Sequence, residues 1–329
     1  MAHMIDVTTG KAAIAFVGQT PWHGLGQKLT QGADIDTWTR EAGLEYTVLE
    51  SPVQYETEAG SNTWSERKVL YRSDIGTPLA VVSKGYNVVQ PSEVMDFFRK
   101  LTDIGGFQLE TAGVLSEGRR VWALAKVGDS AEIVDRDLAA PYLLLGTSYD
   151  GTMATVAKFT AIRVVCNNTI VASVGGYGIK GEKEKDNGFL KSSIRVVHSE
   201  QFRADDVRLQ LGIVKDAWKS FLVQTRQLAK VSMSQHQADE FVKALLQPYH
   251  KQEKAIQEVK GYKQIMEMFK GRAIGSDIPG VTGTRWGMLN AVTEVIDHKR
   301  GRSNNTRLES AWFGTGAALK VRAVELLTA

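Results

Sequence analysis

The spacing of apolar residues changes period once along this chain, and that change limits the folds open to it. Up to about residue 170 the pattern is that of strands. "YTVLESPVQYET" and "RKVLYRS" alternate, "TPLAVVSKGYNVVQ" is β-branched, and "SDIGTP" between them has hairpin chemistry. "FQLETAGVLSEGRRVWALAKV" predicts a second hairpin turning at "SEGR", and "YLLLGTSYDGTMATVAKFTAIRVVCNNTIVAS" a third turning at "YDGT". From Asp205 onward apolar residues recur at Val207, Leu211, Val214, Trp218, Leu222 and Leu228, the spacing of a long helix.

Shorter signals fill in the plan. "ADIDTWTREAG" predicts a helix with Asp34 or Asp36 as its N-cap and Gly43 past its end. In "PSEVMDFFRKLTDI", Val94, Phe97, Phe98 and Leu101 fall on one helical face. Ser234 with Gln237 three residues later has the form of a capping box. The fold class expected is α+β: an antiparallel, hairpin-rich sheet with a crossing helix, followed by a mainly helical C-terminal part. Residues 5–175 form the sheet domain in this reading, 176–200 a connecting segment rich in glycine and charge, and 201–329 the helical domain.

Composition narrows the setting. With 43% apolar and 23% charged residues among 329, the chain can bury a core and is not of the disordered class. No apolar run approaches the roughly 18 residues of a membrane span. Met-Ala-His-Met reads as a cloning remnant ahead of Met4, not as a secretory signal. A single cysteine allows no intrachain disulfide, so a cytoplasmic location is expected. Charge is uneven: residues 1–140 carry 13 Lys/Arg against 19 Asp/Glu, and residues 141–329 carry 27 against 18. A basic later part points to a polyanionic partner.

Candidate chemistry is sparse. Cys166, with His198 and the adjacent Asn167, has the residue types of a thiol nucleophile, although a lone cysteine in an apolar run is usually a small buried hydrophobe. The histidines show no metal-ligand spacing, so neither a metal nor a cofactor is expected. "WFGTGAALK" puts Gly314 and Gly316 at a helix start with Lys320 one turn in, which suits either an anion or close helix packing.

What stands out is a set of cations and amides near turns. Lys158, Arg163, Asn167 and Asn168 lie along one strand. Arg195 and His198 follow the glycine-rich segment, and Arg285 opens a late helix. "HKRGRSNNTR" places Lys299, Arg300, Arg302 and Arg307 together without an acid. These side chains suit phosphate and base-edge contacts, and Trp22 and Trp286 suit base stacking. Arg163 has two readings: a cation in a binding groove, or an inward arginine paired to a carboxylate beside a strand-end Asx-turn.

"PWHGLG", "IRVVCNNTI", "IRVVHSE", "GTRWGMLNAVTEVIDH" and "SAWFGTGAALKVRAVELL" occur in this order. Together they resemble the phage/plasmid-like proteins grouped as a domain of unknown function. The resemblance runs from about Trp22 to Leu327, and departs from the pattern at Ser199, where threonine is more usual. It implies a mobile-element protein of a bacterial host's cytoplasm. The element order is also similar in outline to single-strand annealing proteins, which implies a homo-oligomer that grips single-stranded DNA. The alternatives are an enzyme acting on a nucleotide or phosphorylated substrate, and a host-interaction or structural protein.

Overall fold

The computed structural model describes residues 5–18, 24–104, 106–165, 168–170, 193–196, 207–250, 255–300 and 307–329. It is an α+β protein whose described residues group into two compact units. The first takes its described residues from 1–127, 143–158 and 194–210, the second from 128–142, 159–193 and 211–329.

The first unit is built on antiparallel hairpins. Its strands are β1 (Ile14–Val17), β2 (Gln27–Leu29), β3 (Val48–Thr57), β4 (Gly60–Arg72), β5 (Pro78–Ser83), β6 (Phe107–Leu115) and β7 (Arg120–Val127). One sheet runs in the order β2-β1-β6-β7 and then continues into residues 143–148 and 155–158. β1 and β2 pair in parallel, a pairing that local alternation does not announce. Helix α1 (Ile35–Glu41) begins where Asp34 accepts the Thr37 N–H at 2.7 Å. It ends before Gly43, whose φ of +72° and approach to Ala13 leave no room for a side chain. Helix α2 (Pro91–Ile104) buries Val94, Phe97, Phe98 and Leu101, the face its spacing predicts. Each such burial stabilises the fold by roughly 1.5–3 kcal/mol. The β6–β7 turn at Ser116–Gly118 holds Ser116 and Glu117 at positive φ.

A separate sheet, β3-β4-β5, belongs to the same unit. Its two faces differ. Val48 is buried, and so are Leu70 and Val82, which share its side of the sheet. Leu49 stands opposite Tyr71 and Val69 opposite Val81 on the other side, where Leu49 and Val81 are exposed. Beneath the sheet Arg72 is buried against Asp6 and bonded to Asp74, with its guanidinium 4.2 Å from the Tyr46 ring.

The second unit is mainly helical. It contains β8 (Ala131–Val134), the start of β9 (Asp137–Ser148), the end of β10 (Thr155–Arg163) and β11 (Asn168–Ile170). Its helices are α3 (Val207–Lys230) from Leu211 onward, α4 (Gln235–Leu246), α5 (Lys260–Glu267), α6 (Arg285–Glu294), α7 (Arg307–Phe313) and α8 (Thr315–Thr328). On α3, Trp218 and Phe221 stack at 5.4 Å, and both rings approach Phe159. Helix α4 starts with the expected box, Ser234 and Gln237 each accepting from the other's backbone. Helix α6 is buried on every side from Trp286 to Glu294. Its Gly287 lies so close to the Val281 carbonyl that a Cβ would overlap it. Five residues of π-helix follow α5 (Met268–Arg272) and α6 (Val295–Lys299). No described helix is long and apolar enough to cross a membrane.

Candidate nucleic-acid interface

Arg163 ends β10 and Asp137 begins β9, and the Val164 N–H bonds the Leu138 carbonyl between them. This pairing brings the guanidinium and the carboxylate together in the interior, both fully buried. Arg163 Nε donates to Asp137 Oδ1 at 2.7 Å and to Oδ2 at 3.0 Å. Its terminal nitrogens donate to the carbonyls of Ile274 at 2.8 Å and Gly275 at 3.0 Å. Trp286 Nε1 donates to Asp137 Oδ2 at 2.8 Å. Gly275 has a φ of +71°, and a Cβ there would meet the Arg163 guanidinium at 2.9 Å. Of the two readings of Arg163, the geometry is that of the inward arginine held by a carboxylate.

The loop that receives Arg163 is fixed a second time. The Ile274 N–H donates to Glu294 Oε2 at 2.9 Å, so one buried carboxylate on α6 and one buried arginine on β10 hold the same turn. Trp286, expected as a stacking platform, has its indole in the interior with its N–H bonded to Asp137.

Lys320 sits on α8 with no exposed surface, and its ammonium bonds Asp297. Burial pushes its pKa down, opposed by the Asp297 charge. The small residues ahead of it serve packing: a Cβ on Gly316 would meet the Ser310 carbonyl at 2.7 Å and Ile296 at 2.9 Å. The Gly316 N–H already donates to Ser310 Oγ. Lys158, on β10 within the first unit, is also interior. Arg285 is half-buried and donates to the Leu327 carbonyl at 2.6 Å, which satisfies an end of α8.

The cations that remain near the surface converge after α6. Lys299, Arg300 and Arg307 are half-buried, and Arg307 Nε donates to the Arg300 carbonyl at 3.0 Å. Arg300 has no carboxylate partner among the described residues, and one terminal nitrogen is sealed from solvent with no hydrogen-bond acceptor. Burial holds the guanidinium groups of Arg300 and Arg307 below the usual arginine value. A buried guanidinium edge without an acceptor is a costly state that an anion would relieve.

Trp22, Cys166, Asn167, His198 and Arg302 lie outside the described residues, as do the side chains of Asn168 and Arg195. Of the side chains on which expectation rested, the structure therefore places Lys299, Arg300 and Arg307 together and puts Arg163, Lys158, Lys320 and Trp286 in the interior. Asp137 and Glu294, which organise the interior cluster, escape a sequence reading. Asp137 reads as part of a polar turn with Asp135 and Arg136, and Glu294 as one more polar residue of a helix. The only signal for either is the buried strand start and the all-round burial of α6, which are tertiary properties.

An α+β protein with a hairpin-rich sheet unit, a helical C-terminal part and a cationic cluster after its buried helix is the class these features define. The chain belongs to the family of the domain of unknown function DUF932, whose model matches residues 78–312. No curated protein and no solved structure matches it.

Proposed function

We propose that this protein binds nucleic acid, single-stranded DNA in preference to duplex, and does so as a homo-oligomer serving recombination or annealing on a mobile element in a bacterial cytoplasm. The observation that carries the reading is Arg300. A guanidinium half-buried beside Lys299 and Arg307, with no carboxylate partner and one nitrogen unsatisfied among the described residues, is a receptor for a phosphate oxygen. The excess of 27 Lys/Arg over 18 Asp/Glu in residues 141–329 supports a polyanion as the source of that phosphate.

The test is fluorescence anisotropy with labelled single-stranded and duplex oligonucleotides at low and high salt, with light scattering for mass. Wild-type protein is expected to bind single strands more tightly, with affinity falling steeply as salt rises. Lys299→Glu and Arg300→Glu should weaken binding to all sequences alike and flatten the salt slope by about one for each phosphate no longer neutralised. No binding of any oligonucleotide at low salt would end the reading.

A further inference from the structure

Strand β4 outruns the strand beside it. β5 pairs with it only from Tyr71 back to Arg67, and the Lys84 N–H closes that pairing on the Glu66 carbonyl at 3.0 Å. Beyond this point β3 and β4 continue alone as a two-stranded arm, paired from Val53 opposite Trp64 to Thr57 opposite Gly60. A register shift between Pro52 and Val53 sets the arm off from the base of the sheet. Every residue from Gln54 to Arg67 is exposed, on both faces of the ribbon. A two-stranded ribbon of this kind is marginal in water by itself; three or more strands with an apolar face are needed to hold it.

The outer edge of the arm is bare. From Gly60 to Ser65 no strand lies beside β4 among the described residues. The stretch reads Gly-Ser-Asn-Thr-Trp-Ser, with no lysine, no proline and no charge. Natural edge strands carry such residues because unpaired N–H and C=O groups are a template for another chain. An edge without them is one that a partner strand covers. The arm does carry acids, but they stand elsewhere: Glu56 on β3, Glu58 in the turn, and Glu66 where β5 stops. Strand register places Val53, Tyr55, Asn62 and Trp64 on one side of the ribbon. Tyr55 is 50% exposed there and Trp64 47%.

We infer that the arm is a self-association device: the open edge of β4 pairs antiparallel with the same edge of a second copy, about a two-fold axis near Thr63. The inference gives the homo-oligomer of the reading above one of its interfaces and rests on that part of it. Two arms joined this way make a four-stranded ribbon, which meets the strand number that one arm lacks. Trp64 then stands opposite Asn62 of the second copy and diagonal to its Trp64, within reach of an aromatic ring. Tyr55 and Trp64 of both copies share one side of the ribbon. Charge selects the occupant. An uncharged edge meets its own copy with no like charges opposed, as an isologous contact requires. The β3 edge, with Glu50 and Glu56, does not qualify. In the paired ribbon the two Glu56 positions are three strand spacings apart, about 14 Å, beyond the screening length of roughly 10 Å. An edge built for an unlike, charged strand would carry the opposite sign, and β4 carries none.

The experiment uses the full chain without nucleic acid and reads mass by light scattering across a range of protein concentrations. Ser61→Lys/Thr63→Lys places like charges across the axis, so the mass should fall to half that of wild type at the same concentration. Both side chains are exposed, so unfolding curves should match wild type. Thr63→Cys should form a disulfide-linked dimer on mild oxidation, and Gln54→Cys, on the far strand, should not. Wild type, whose one cysteine is Cys166, is the control for linkage elsewhere. A wild-type oligomer whose mass the lysines leave unchanged, with no linked dimer from Thr63→Cys, would overturn the edge pairing and leave the reading above standing. Equal linkage from Gln54→Cys and Thr63→Cys would overturn it too, because the contact would not be through β4. A wild-type protein that is a monomer at every concentration would remove the homo-oligomer and this interface together, and leave the edge to a strand of another protein. Loss of oligonucleotide binding in Lys299→Glu/Arg300→Glu at unchanged mass would separate the two surfaces, as expected.

Discussion

Arg163 shows how a residue's chemistry is decided by its neighbours. Arginine on a strand end can face a phosphate or a carboxylate, and here Asp137, itself bonded by the Trp286 indole, and two backbone carbonyls surround it. Arg163→Ala leaves Asp137 buried without its cation, so unfolding free energy should fall by about 3–5 kcal/mol, measured by urea denaturation. Oligonucleotide affinity of the folded protein should not change. Lys320 offers a companion test with a pH signature. Its buried amine has a pKa below the ordinary 10.5. The unfolded chain therefore binds more protons than the folded one between that lowered value and 10.5, and stability contributed by this group rises with pH across the window. Asp297→Asn removes the charge that holds the proton, lowers the folded pKa further and widens the window downward. At neutral pH the variant should be less stable by about 3–5 kcal/mol, and its stability should recover more steeply than wild type as pH is raised toward 10.5.

At the scale of elements, local pattern and tertiary constraint divide the chain between them. The stripe on α2, the Asp34 cap of α1 and the Ser234–Gln237 box of α4 are legible because every partner lies within four or so residues. The hairpin turns at 73–77, 116–119 and 149–152 are legible for the same reason. The parallel β1–β2 pair and the Asp137–Arg163–Trp286 cluster are not, because they join residues 12, 26 and 149 positions apart through strand register and helix burial. Glycines show the same division. Gly316 and Gly261 are both helical glycines, and sequence cannot tell them apart. A Cβ at Gly316 would press on Ser310 and Ile296, whereas at Gly261 the nearest neighbour is Leu246 at 4.0 Å. Gly316→Ala should cost about 1–3 kcal/mol and Gly261→Ala should stabilise by about 0.4–1 kcal/mol, both read as shifts in thermal midpoint.

For the molecule as a whole, the uneven charge of the chain is the property that sequence alone conveys best, since it needs no coordinates. Which cations express that charge outward is a matter of packing: Arg163 and Lys320 are spent on interior carboxylates, and Lys299, Arg300 and Arg307 are left near the surface. The exposure of Tyr55 and Trp64 is hidden from sequence for a different reason: their strands alternate as any half-buried strand would, yet residues 54–57 and 60–67 are exposed on both sides.

The two units are not consecutive lengths of chain. Residues 128–142 go to the helical unit, 143–158 return to the sheet unit and 159 onward leave it again, so that β9 and β10 each begin in one and finish in the other. No single cut in the gene would place one unit in each fragment, because segments of both units alternate along the chain between residues 127 and 211. Evolution could lengthen or decorate such a protein at its loops, but it could not shuffle its halves as independent modules, because the polypeptide is stitched through both.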